Sequence, residues 1–201
     1  MDFCAEMPLE YESEKFKALD YAGQTITGKT FYACQFLRSD FKETKWVKCK
    51  FNDCVFTDCD LSLTSVTNCS FSETQFENCK LIGINWTDAS WDKRGILNSI
   101  HFNGCGLNHC TFAGLILKKM TLTHCTARDV DFAETDLTRA NCAHTDFAES
   151  RFFHTNLTEA DFRHATNYAI PANMNTLKKT KFSLPEALAL LYSLDIIVSE
   201  S

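Results

Sequence analysis

A large apolar side chain occupies every fifth position from Phe31 to Leu81: Phe31, Phe36, Phe41, Trp46, Phe51, Phe56, Leu61, Val66, Phe71, Phe76 and Leu81. A period of five matches neither the 3.6 residues of an amphipathic helix nor the 2.0 of a strand. It also misses the 3.5 of a coiled coil. Two residues before most of these stands a small side chain: Cys34, Ser39, Thr44, Cys49, Cys54, Cys59, Thr64, Cys69, Thr74 or Cys79. A fixed short period held this long specifies a repeat solenoid, in which each repeat buries its apolar residue against its neighbours.

The rest of the chain is organised around this run. Residues 1–20 are charged and only loosely periodic, although Phe16, Tyr21 and Ile26 are already in phase with Phe31. They are expected to form an N-terminal cap, because an open solenoid end invites edge pairing. A first stack is expected over 21–91, ending with Trp86 and Trp91. The pattern breaks at 92–99 (D-K-R-G-I-L-N-S) and resumes over 100–167 as a second stack, with Phe102, Leu107, Phe112, Leu117 and Leu122 one residue out of phase. That slip demands a kink or small loop. In 168–201, Ser183 and Glu186 have capping-box spacing and Pro185 suits a first helical turn. Leu184, Leu188, Leu191 and Leu194 recur at helical spacing before Ile196, Ile197 and Val198. This is more apolar surface than one coil end needs. The segment is expected to cap the solenoid and, through Leu184, Leu188, Leu191, Leu194 and Ile196, to form a homodimer.

Nine of the eleven cysteines (Cys34, Cys49, Cys54, Cys59, Cys69, Cys79, Cys105, Cys110 and Cys125) hold the small position. There they alternate with Ser, Thr and Ala, as small buried filler would. Their spacing of five is not that of a zinc knuckle. Pairs twenty apart, such as Cys34 with Cys54 or Cys59 with Cys79, would reach disulfide range only if coils stack, and a reducing cytosol disfavours that bond. The net charge of −6 argues against direct nucleic-acid binding. With no run of 18 apolar residues and no signal-peptide pattern, the expectation is a cytoplasmic protein without a membrane span. His124, His144 and His164 fall in one column, read as a surface ladder and not a metal site. No P-loop, GxGxxG or HExxH motif occurs. No enzyme, cofactor or metal is expected.

The second run contains DVDFA, ETDLT, RANCA, HTDFA, ESRFF, HTNLT and EADFR. These tandems resemble the pentapeptide-repeat family over roughly 21–167. The resemblance implies an all-β solenoid, a right-handed quadrilateral β-helix with four pentads per coil. About seven coils stacked about 4.8 Å apart would make a filled rod roughly 34 Å long. The stretches N-W-T-D-A-S-W at Asn85–Trp91, N-Y-A-I, and F-S-L-P-E-A…L-L-Y-S-L-D-I at Phe182–Ile196 resemble the topoisomerase-protecting branch. That branch includes the albicidin-resistance, microcin B17 immunity and Qnr proteins; the albicidin-resistance type is the most similar. It implies a dimeric rod that mimics B-DNA, binds DNA gyrase, with topoisomerase IV as a second target, and relieves a poison such as albicidin. The long projecting loops of Qnr proteins are missing.

Residues twenty apart should share a column: Asp129 with Glu149, Asp53 with Glu73, Asp40 with Asp60, and the self-neutralising Arg139 with Glu159, Asp60 with Lys80 and Arg38 with Asp58. Asp129, Asp131, Glu134, Asp136, Asp146, Glu149, Glu159 and Asp161 stand against only Arg139 and Arg151 within their own segment. They are expected to form an acidic face that meets a basic DNA-binding saddle. Charge reversal at Asp129, Asp136, Asp146 and Glu149 is expected to abolish binding and leave the fold intact. The alternative is a protein-interaction scaffold in an unrelated pathway.

Overall fold

The computed structural model describes residues 9–95, 99–194 and 196. The chain coils with a repeat of twenty residues. Glu10–Glu12, Thr30–Tyr32, Lys50–Asn52 and Ser70–Ser72 stack in parallel as one sheet. Lys15–Lys17, Gln35–Leu37, Val55–Thr57, Thr74–Glu77, Ile100–Asn103 and Thr121–Thr123 form a second. The other two sides carry the short pair Thr25–Thr27 with Lys45–Val47 and single bridges such as Asp20 to Asp40 and Thr126 to Asp146. Four faces result. Face one is built on Tyr11, Phe31, Phe51 and Phe71, face two on Phe16, Phe36, Phe56 and Phe76, face three on Tyr21, Phe41, Leu61 and Leu81, and face four on Ile26, Trp46, Val66 and Trp86.

Each pentad turns the chain by one face because of a single backbone choice. The residue two after the large one adopts positive φ, as at Glu43 (57°), Leu63 (60°), Asp129 (52°) and Arg139 (62°). Left-handed backbone at a non-glycine residue costs about 1–2 kcal/mol. The same geometry aims that residue's N–H at the next coil: Glu43 donates to Ser62 O at 2.9 Å and Leu63 to Ile82 O at 2.7 Å. Many corners are also closed turns, such as Leu115 N–H to Phe112 O at 3.1 Å with Gly114 at φ 72°.

The large side chains fill the interior as columns of stacked rings. Phe36, Phe56 and Phe76 follow one another at 4.4 and 4.9 Å, and Phe112 meets Phe132 at 5.4 Å, each pair within 14° of coplanar. The ten described cysteines are all buried and free. Nine occupy the small position, where their role goes beyond size. Cys59 Sγ donates to Phe36 O and Cys79 Sγ to Phe56 O, both at 3.4 Å. Thr44 Oγ1 does the same to Tyr21 O at 2.8 Å, and Thr145 Oγ1 to Leu122 O at 2.7 Å. The column therefore accepts Cys, Ser and Thr because each donates to the coil before it. Burial pushes the Cys54 and Cys110 thiols up to about 12.

Three boundaries differ from the sequence expectation. The solenoid begins before residue 21: Glu10–Glu12 and Lys15–Lys17 already pair with the next coil, and the remaining cap residues, 1–8, lie outside the described residues. At the break, the register offset rises from 20 to 26 between Gln75↔Val55 and Thr74↔Ile100, so six residues are inserted. The parallel ladder carries straight across. Trp91 covers the gap, stacked 6.0 Å from Phe71 with its Nε1 donating to Trp86 O at 2.7 Å; residues 96–98 lie outside the described residues. At the other end the coil continues past 167, since Asn156 bridges Thr176 and Asp161–Phe162 pairs with Lys181–Phe182. From Phe16 to Phe182 the stack makes eight turns, about 38 Å at about 4.8 Å each.

The C-terminal helix is short, Leu188–Tyr192, with Ala187 at its N-cap and no side-chain cap. The expected capping box is not formed. Ser183 is the next rung of face two, so its Oγ accepts the His164 N–H at 3.2 Å instead. Leu177, Phe182, Ala189 and Leu190 pack against the core end.

Phe56→Ala should lower stability by about 3–5 kcal/mol, because the ring is fully buried between Phe36 and Phe76. The outward Thr57→Ala should change it by less than about 0.5 kcal/mol. Urea unfolding followed by circular dichroism measures both.

Candidate interaction surface

Each pentad sends three side chains outward, so the coil register decides which charges share a face. The eight acids singled out from the sequence do not form one face. Asp129, Asp146 and Glu149 lie on face three, Asp131 and Glu134 on face four, Asp136 and Glu159 on face one, and Asp161 on face two. The reason is the quarter turn per pentad: acids five residues apart look in different directions, and only those a full coil apart align.

Six of the eight also meet a cationic or imidazole partner. Asp129 meets His109 Nδ1 at 2.8 Å, Asp131 meets Arg151 at 2.5 Å, and Asp136 meets Lys118 at 3.5 Å. Asp146 and Arg128 are 2.7 Å apart, as are Glu159 and Arg139. Asp161 meets Arg163 at 2.6 Å and Lys181 at 3.7 Å. Several of these partners come from just outside the acidic segment, which is why counting charges within it overstated its excess. Arg163 holds the Asp161 carboxyl below its ordinary value despite partial burial. For Asp131, burial raises the carboxyl, but hydrogen bonds from Arg151 and the Ala133 N–H outweigh it and leave it lowered.

Four of the eight have a structural duty as well. Asp131, Asp136, Asp146 and Asp161 each accept the backbone N–H two residues on, at 2.9, 3.0, 3.1 and 3.1 Å. Asn141 and Asn156 do the same at 3.2 and 3.1 Å. This explains why Asp and Asn recur before the large residue. A lysine at Asp136 or Asp146 would lose that bond, yet Lys45, Lys50, Lys80 and Arg151 hold the same position elsewhere in the ladder, so charge reversal there should cost stability without abolishing the fold.

Face three is where carboxylates collect. Asp20, Asp40 and Asp60 bridge one another in register. Glu43 stands at the adjoining corner, and Asp129, Asp146 and Glu149 continue the face farther along. These seven carboxylates face Lys42, Lys80 and Arg128, besides His109. Among the described residues no cationic group lies within ion-pair range of Asp20 or Asp40; their Oδ1 atoms accept the Ala22 and Lys42 N–H groups at 3.3 and 2.9 Å. The Asp40–Asp60 column was legible from the twenty-residue spacing. That Asp129, Asp146 and Glu149 share its face was not, because the six-residue insertion shifts the count.

Face two carries the histidine ladder, with His124, His144 and His164 stacked at 4.8 and 4.7 Å. Beside it runs an open trough of about 690 Å³ lined by His101, Thr121, Asn141, Asp161 and Arg163. Among the described residues no group of three or more His, Cys, Asp or Glu side chains could hold a metal ion, and no helix is long and apolar enough to cross a membrane. At the C-terminal end Leu184, Leu194 and Ile196 are exposed and Leu188 and Leu191 half-buried. Tyr192, absent from the sequence expectation, is exposed beside them.

Four pentads per coil, each with one large and one small inward residue, define a right-handed quadrilateral β-solenoid. The chain belongs to the pentapeptide-repeat family. A pentapeptide repeat region model matches residues 29–98, and a model of eight pentapeptide repeats matches 116–152 and 131–166, together well over half the chain. Among solved structures it is similar to QnrB1, a plasmid-mediated fluoroquinolone resistance protein. One trypsin-treated variant aligns with a TM-score of 0.66 at 19% identity over 92% of this chain and 100% of that one. The full-length form aligns with 0.61 at 18% identity over 93% and 100%. At these identities the likeness is one of fold. A search of curated proteins finds no match to this sequence.

Two outcomes test the dual role of the aspartates. Asp146→Asn should keep the bond to the Ala148 N–H and lose little stability, whereas Asp146→Ala should lose about 1 kcal/mol. Asp161 has a folded value below its ordinary 3.8, so its stabilisation is full above that value and is lost as pH falls through the folded one. The stability gap between the unchanged protein and Asp161→Asn should therefore shrink on acidification. Urea midpoints measured from about pH 6 down to about pH 2 would show it.

Proposed function

We propose that this protein is a DNA-mimicking partner of DNA gyrase, with topoisomerase IV as a second target, and that it protects the enzyme from a poison such as albicidin. The single observation that carries this reading is face three: Asp20, Asp40 and Asp60 in register, with Glu43, Asp129, Asp146 and Glu149 on the same side of a rigid rod about 38 Å long. Charges at fixed intervals on an incompressible scaffold complement a basic saddle built for phosphates. The shared fold with QnrB1, a fluoroquinolone resistance protein, supports a role in drug resistance. The shortness of the insertion, six residues, favours albicidin over a fluoroquinolone as the poison countered.

Contact is assigned to face three, with Asp129, Asp146 and Glu149 retained from the sequence expectation and Asp20, Asp40, Glu43 and Asp60 added. Homodimerisation is assigned to the exposed C-terminal surface of Leu184, Leu188, Leu191, Leu194 and Ile196, joined by Tyr192. Two rods end to end would span roughly 75 Å, close to the length of about 22 base pairs at 3.4 Å each.

The test is gyrase supercoiling of relaxed plasmid with albicidin present, titrated with this protein, beside a quinolone arm. Rescue with albicidin alone is expected. The triple variant Asp20→Asn, Asp40→Asn, Asp60→Asn keeps the backbone caps and removes three charges; it should weaken gyrase binding at least about tenfold at low salt. Equal binding by that variant would remove face three from the account, and absence of any effect on gyrase would remove the partner.

A further inference from the structure

Among the described residues Leu63 is the most exposed large apolar side chain in the coils between Glu10 and Phe182, at 55%. It sits at a corner of face three with φ 60°, a conformation that leucine disfavours. Asn68, Asn78 and glycines occupy equivalent corners elsewhere, so the fold itself does not require leucine there. Its side chain lies over Gly83, where an added Cβ would come within 2.8 Å of Leu63 Cδ2. Half-buried Ile82 sits on the same coil as Gly83 and takes the Leu63 N–H on its carbonyl at 2.7 Å. An apolar spot thus occupies the middle of face three. Asp40, Glu43 and Asp60 border it on one side, with Lys42 and Lys80 paired to Glu43 and Asp60, and Asp129, Asp146 and Glu149 stand farther along the rod on the other, so that the face as a whole keeps an acidic excess of seven carboxylates over Lys42, Lys80 and Arg128.

An apolar centre with a charged rim is the layout of a protein-binding surface, where a few desolvated anchors supply most of the energy and the rim steers. Pure phosphate mimicry would have no use for it, since a phosphate backbone presents no such anchor. Building on the gyrase reading, we infer that Leu63, backed by Ile82 and Gly83, is an apolar anchor that inserts between the basic side chains of the partner's DNA-binding surface. The anchor makes the contact selective for that protein over other polycation surfaces, which the carboxylates alone cannot distinguish. The occupant is a basic protein surface containing an apolar recess, matched by the sign of the surrounding charge.

The experiment compares gyrase binding by the unchanged full chain, Leu63→Asn, Leu63→Gly and Asp40→Asn/Asp60→Asn across a salt series. Asn and Gly both suit the left-handed corner, so neither leucine variant should lower the melting temperature. Each should bind about tenfold more weakly, with the slope of log affinity against log salt unchanged. The aspartate variant should instead flatten that slope. If either leucine variant melts as the unchanged protein does and binds gyrase equally well, the anchor is overturned while the gyrase reading stands. A parallel loss of slope in the leucine variants also overturns it, since the side chain would then act through charge placement. If the unchanged protein does not bind gyrase, both readings fall together.

Discussion

The inter-coil hydrogen-bond ladder is the constraint on which everything else depends. A residue in left-handed backbone every fifth position directs its N–H toward the next coil, and the residue before each large side chain directs its own back to the coil before. Once that ladder is in place, the large residues have nowhere to go but inward, and residues a full coil apart are held about 4.8 Å apart. The corners are energetically unfavourable for non-glycine residues taken singly. They persist because each is tied to both neighbours.

The ladder also explains how the chain tolerates variation. The small inward position needs a donor that reaches a carbonyl of the coil before, and thiols and hydroxyls do so with similar geometry. The position before the large residue favours a side chain that accepts the N–H two residues on, and Asp and Asn meet it alike. At that position charge is therefore free to change without loss of the fold. Face three is where the permissive choice has been taken repeatedly in one direction, as Asp20, Asp40 and Asp60.

Much of this was legible in the order of residues. The five-residue period predicted the solenoid, the twenty-residue recurrence predicted the Arg139–Glu159 pair and the stack of His124, His144 and His164, and the phase slip predicted an insertion before Phe102. The C-terminal signals misled. Ser183 and Glu186 have the spacing of a cap, yet Ser183 belongs to a coil whose neighbour, His164, claims its hydroxyl. A local motif lost to a non-local hydrogen bond. The N-terminal strand Glu10–Glu12 was hidden for a related reason: it has one inward residue, Tyr11, and charges on both sides, and only pairing with Thr30–Tyr32 makes it a strand.

By itself the sequence determined the class of fold, the identity of the core and the columns within uninterrupted runs, because a strict period leaves a winding chain few ways to bury its apolar residues. The tertiary structure alone decided which of those columns share a face. A quarter turn per pentad scatters acids that are neighbours in sequence over four faces, and an insertion of six residues re-aligns those on either side of it. It also decided that Leu63 stays outside, because a corner residue points away from the core whatever its hydrophobicity.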